Sequence, residues 1–145
     1  DEQDPVFIVI TQDNCSSCTT LYPLLNRFMA DNPEYTIYQL KVEYDSNGQI
    51  RFDSINSEEK YNALAQALYD VALSNGEDAT SLQGAMFTGT EVTFATPTLL
   101  VYANNSPILF NNILRYKIGT FATSELLRLT DFLTKTTNGY YTLDY

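Results

Sequence analysis

Apolar and polar positions alternate along the chain in blocks, and each block reads as one element. Val6–Ile10 is a continuous apolar run, β-branched except at Phe7, which predicts a strand buried on both faces. A polar break, Thr11–Asn14, leads into Cys15-Ser16-Ser17-Cys18. From there to Ala30 the period becomes helical, with Cys18, Leu21, Tyr22, Leu25, Phe28 and Met29 at three- and four-residue spacing. Asn14 is the expected N-cap, with Cys15 in the first turn. Pro23 falls inside this helix and is expected to kink it, and Asp31-Asn32-Pro33 ends it.

Tyr38, Leu40, Val42 and Tyr44 alternate with Gln39, Lys41 and Glu43, the pattern of a half-buried strand. After a turn at Asp45–Gly48, Ser57 is the expected cap of a second helix. Tyr61, Leu64, Ala65, Leu68, Val71 and Ala72 form its stripe, and Asn75-Gly76 its stop. Residues 77–92 are weakly patterned, with a short helix expected around Leu82–Phe87. Pro97–Tyr102 predicts a strand and Ile108–Ile118 its hairpin partner, with a bulge expected at Asn111-Asn112. Thr123 or Ser124 caps a last amphipathic helix to about Lys135, and Asn138–Tyr145 is a Tyr-rich tail.

Charge and composition narrow the function classes. The chain has 145 residues, 18 acidic against 8 basic, and a formal net charge of −10. That balance disfavours binding to nucleic-acid phosphates or to an anionic membrane surface. Histidine is absent, which removes the imidazole base of a Ser-His-Asp or Cys-His hydrolase and every His metal ligand. No apolar run approaches the ~20 residues of a membrane span. The length fits a single domain with no need of a metal or disulfide staple.

The two cysteines are the only ones in the chain, and their position gives them meaning. A sulfur at a helix N-terminus meets unsatisfied backbone N–H groups and the positive end of the helix dipole, which favour thiolate. The i, i+3 spacing on one turn brings the Cα atoms within reach of a disulfide. Asp13 opposes the thiolate, and the sequence offers no cation between residue 1 and Arg27, so a moderate depression below the free-thiol value of ~8.5 is expected for Cys15. Three readings compete: a redox pair, a structural disulfide, and a metal or iron–sulfur site needing ligands from elsewhere. The order strand, Cys-x-x-Cys, helix favours the first.

At this point the sequence resembles the thioredoxin-like superfamily. Pro23 follows Cys18 by the interval of that family's active-site helix proline. Thr96-Pro97-Thr98 before an apolar strand resembles its cis-proline loop, and the later elements follow in its order. The resemblance implies an α/β, thioredoxin-like fold, a central mixed β-sheet flanked by helices, in one domain over 1–145. Residues 5–44 and 94–135 form its core, 45–93 a partly helical insertion before the cis-Pro strand, similar to DsbA-like oxidases, and 136–145 a tail. Departures are Val9, where thioredoxins carry a buried Asp, Asn14 in place of Trp, and the dipeptide Ser16-Ser17.

The implied function is a thiol–disulfide oxidoreductase with Cys15 and Cys18 catalytic, Thr96 and Pro97 against the substrate chain, and no cofactor or metal. The expected partners are protein or peptide thiols and disulfides and a redox partner protein, with the chain itself monomeric. The alternative is a non-catalytic protein-binding module with a structural disulfide. The polar, Met-less start and the lack of other cysteines point to an exported or cell-surface location, with the cytoplasm as the alternative.

Overall fold

The computed structural model describes residues 6–33, 35, 37–47, 49–52, 55–88, 91–102 and 113–119. Strand β1 (Val6–Gln12) leads through a short turn into helix α1 (Ser16–Asp31) and strand β2 (Ile37–Val42). Helices α2 (Ile55–Ser74) and α3 (Ala79–Met86) follow, then the two-residue strands β3 (Phe87–Thr88) and β4 (Glu91–Val92). Strands β5 (Thr98–Tyr102) and β6 (Ile113–Ile118) complete the described chain. The expected last helix from Thr123 or Ser124, the tail, the turn at 104–107 and Asn111-Asn112 lie outside the described residues.

The main sheet has the order β2-β1-β5-β6. β1 and β2 run parallel, joined by α1, whereas β5 is antiparallel to β1 and β6 antiparallel to β5. This strand order and direction make the fold thioredoxin-like, an α/β architecture around a mixed sheet.

β1 is buried on both faces, as its unbroken apolar run predicts. Phe7 and Val9 pack on one face with Leu21, Leu25 and Phe28 of α1 and with Leu99 and Val101 of β5. Ile10 points to the other, where Leu100 and Ile113 meet Tyr61, Ala65, Leu68 and Ala72 of α2 and Leu82 and Met86 of α3. Helices α2 and α3 therefore pack on this face of the sheet. Period two in the strand and period 3.6 in the helices meet at these clusters.

Three local expectations need correction. The N-cap of α1 is Cys15, not Asn14: Cys15 is extended (φ −106°, ψ 101°), as a cap must be, while Asn14 turns the chain at φ +61°. α2 begins at Ile55, so Ser57 lies within it rather than capping it. Tyr38 holds the inward phase of β2 yet is 59% exposed on this edge strand. In the described part of the β5–β6 hairpin the register shifts between Val101 and Tyr102, which pair with Arg115 and Ile113, while the bulge expected at Asn111-Asn112 lies outside the described residues. The stop at Asn75-Gly76 is as expected. Gly76 (φ +93°) lets its own N–H bond Leu73 O, and Glu77 N–H bond Ala72 O.

Candidate redox site at the start of helix α1

The site is built where β1 ends. Thr11 and Gln12 end the strand, Asp13 follows it, and each is tied sideways. Gln39 Nε2 donates to Thr11 Oγ1 (2.7 Å) and to Tyr22 OH (3.2 Å), Tyr44 OH donates to Gln12 Oε1, and Lys41 Nζ pairs with Asp13 Oδ1 at 3.0 Å. The parallel register explains the set, since it places Lys41 beside Thr11 and Val42 beside Gln12. The turn is thus held to β2 before the helix begins.

Cys15 and Cys18 are joined as a disulfide with their Cα atoms 5.2 Å apart. The Cys15 sulfur takes the place of a cap oxygen and accepts the Cys18 N–H at 3.1 Å. Thr19 closes the first turn, with its N–H and its hydroxyl both donating to the Cys15 carbonyl. The two sulfurs differ in access: Cys18 is 1% exposed, on the apolar stripe with Leu21 and Leu25, while Cys15 is half-buried. Cys15 opens onto a shallow polar cleft lined by Gln12, Asp13, Asn14, Ser16, Thr19 and Tyr22. Pro23 is exposed on α1, which continues through it to Asp31.

Lys41 is the site residue that reading along the chain missed. It lies 26 positions after Cys15, but the sheet register delivers it to the turn. Its charge pairs the Asp13 carboxylate, which lines the same cleft as Cys15. In return, the hydrogen bond and charge of Asp13 raise the Lys41 ammonium above its usual 10.5. The position that holds a buried acid in thioredoxins is here Val9, 3% exposed among apolar side chains. The only described buried polar side chains are Thr11 and Thr98.

Thr96 and Pro97 arrive at the same end of the sheet. β5 is antiparallel to β1 with Thr98 opposite Ile10, so the residues before Thr98 run alongside the end of β1 that leads to Cys15. The Thr96–Pro97 peptide bond is cis. Pro97 is buried and Thr96 half-buried. Among the described residues no group of three or more His, Cys, Asp or Glu is placed to hold a metal ion, and no helix is long and apolar enough to cross a membrane.

No protein-family model and no curated protein matches this sequence. Among solved structures, the chain is similar to thioredoxin O2 of Arabidopsis thaliana in the oxidised state, at 15% identity over 90% of this chain and 73% of that one, with a TM-score of 0.42. It is similar to StoA of Bacillus subtilis at 14% identity over 92% and 84% (TM-score 0.40). A thioredoxin-fold protein of Helicobacter pylori is 12% identical over 96% and 74% (TM-score 0.42). The functional reading rests on the residues of the site itself.

Proposed function

We propose that this protein is a thiol–disulfide oxidoreductase acting on protein or peptide disulfides through Cys15 and Cys18. The observation that carries this reading is the asymmetry of the pair at a helix N-terminus. The half-exposed sulfur caps the helix and faces a cleft, and its partner sits one turn inward and sealed.

In the reducing direction the Cys15 thiolate attacks one sulfur of the substrate disulfide. A mixed disulfide forms, and the other substrate sulfur leaves as a thiolate that takes up a proton. Cys18 then loses its proton and attacks Cys15 Sγ. The Cys15–Cys18 disulfide forms, the second substrate sulfur departs, and the pair has given two electrons to the substrate. Reversed, the same steps move the disulfide from the pair to a substrate dithiol. The Cys18 N–H and the helix dipole stabilise the sulfur that carries charge in both directions. Thr96 and Pro97 are the substrate-binding residues of this reading, with the Thr96 backbone pairing with the substrate chain as an added strand. Their place beside the end of β1 supports that role.

The test is a pair of variants incubated with a disulfide-containing peptide. Cys18→Ser accumulates a mixed disulfide through Cys15, visible by non-reducing mass spectrometry, and Cys15→Ser accumulates none and turns over nothing. Turnover by Cys15→Ser at the wild-type rate removes Cys15 as the nucleophile.

A further inference from the structure

The chain that enters Thr96-Pro97 is anchored on the helical segment at Thr93 and Phe94, and on the start of β5 at Ala95. Three successive residues before it each commit a polar group. Thr93 N–H donates to Met86 O at the end of α3 (2.5 Å), and Thr93 Oγ1 shares a hydrogen bond with Tyr61 OH (2.5 Å). Phe94 N–H donates to the same Tyr61 oxygen at 3.2 Å. The Ala95 carbonyl accepts from Thr98 Oγ1, itself fully buried. Tyr61 has little freedom to move. Its ring is 7% exposed and lies edge-to-face between Phe52 (centroids 5.4 Å apart) and Phe94 (5.3 Å).

We propose that Tyr61 is a positioning residue for the substrate-binding loop, its hydroxyl joining α2 to Thr93 and Phe94 and so fixing where Thr96 and Pro97 stand. This deepens the proposed function and rests on its reading of Thr96 and Pro97 as the residues that receive the substrate chain. A pairing strand tolerates little displacement, because backbone donors and acceptors must align to within tenths of an ångström to bond. Tyr61 sits in the hydrophobic stripe of α2, so its packing alone would pass for ordinary core. The use of its oxygen for two bonds to one loop is what separates it from Ala65, Leu68 and Ala72.

The role predicts a split between substrates. A small aromatic disulfide such as 5,5′-dithiobis(2-nitrobenzoate) needs only the Cys15 sulfur, whereas a peptide disulfide also needs the loop. In Tyr61→Phe the ring and its packing stay, and the expected result is a rise of about tenfold in KM for the peptide, with kcat and the small-disulfide rate within about twofold of wild type. Amide exchange at Phe94 should accelerate about tenfold as its acceptor disappears. Thr93→Val should reproduce part of the KM effect and Thr93→Ser should restore the wild-type value. An unchanged peptide KM or an unchanged Phe94 exchange rate in Tyr61→Phe overturns the proposal while leaving the redox reading intact. Equal losses on both substrates also overturn it, since they report a general loosening. Failure of the wild-type protein on both substrates instead overturns the redox reading, and the loop's role with it.

Discussion

Replacing Val9 by Asp tests whether α1 seals its face of the sheet. Val9 is 3% exposed and packs in a cluster of Phe7, Leu21, Leu25, Phe28, Ile37, Leu99 and Val101, with no polar side chain among them. A carboxyl placed there has nothing to pair with, so the folded state accepts it only protonated. Full burial of this kind raises a carboxyl by about 3–5 pH units above the ~3.9 it has in the unfolded chain. Below pH ~4 both states are protonated and ionisation has no effect on stability. As pH rises, only the unfolded chain ionises, and stability falls by about 1.4 kcal/mol per unit until the folded carboxyl also titrates. Between pH 4 and pH 7 the loss is about 4 kcal/mol, a large fraction of the ~5–15 kcal/mol of a typical domain. Urea unfolding of oxidised Val9→Asp and Val9→Asn at pH 4, 5, 6 and 7 isolates this term, because Asn brings the polarity without the titration. The gap between the two variants should open steadily with pH in favour of Asn. A gap that stays constant within about 1 kcal/mol means water reaches position 9, and the packing of α1 over β1 described above is wrong.

Two further outcomes follow from the helical face of the sheet. Burial raises Tyr61 above its ordinary 10.0, with its bonds to Thr93 and Phe94 partly offsetting, and burial also raises Tyr116. A raised folded-state value means stability is intact below pH 10 and is lost above it, so urea midpoints should fall between pH 9.5 and 11, less steeply in Tyr61→Phe than in wild type; identical slopes would contradict the burial of that hydroxyl. Gly76→Ala should lower stability by about 1 kcal/mol, because the Cβ has open space but not the positive φ; an unchanged urea midpoint would mean the turn ends α2 in some other way.

What was legible in the sequence was whatever periodicity encodes. The Phe7–Ile10 part of the first apolar run, the Cys18–Leu21–Leu25–Phe28 stripe and the Tyr61–Ala72 stripe all pack as their spacing requires, because burial enforces one phase on each element. The cysteine pair was legible from its position between a strand and a helix. Local polar chemistry was harder to read. Asn14 suits both an N-cap and a left-handed turn, and choosing between them takes the backbone angle, which only the exit from β1 fixes. β3 and β4 are two residues each, too short to carry an alternating pattern. Tyr38 was misplaced because alternation gives a strand's phase but not its place at the edge of the sheet. Lys41 and the hydroxyl of Tyr61 act on residues 28 and 32 positions away, through strand register and helix packing, and neither is a local property of the chain.

In the proposed function the Cys15–Cys18 disulfide exchanges electrons with substrates rather than serving as a fixed brace. Equilibrating the protein with a graded series of reduced and oxidised glutathione or dithiothreitol, trapping free thiols by alkylation and counting them by mass, measures this directly. A two-electron transition is expected with a midpoint between about −270 and −120 mV, the range of proteins that catalyse disulfide exchange. A midpoint more negative than about −300 mV would contradict it and make the bond a structural one.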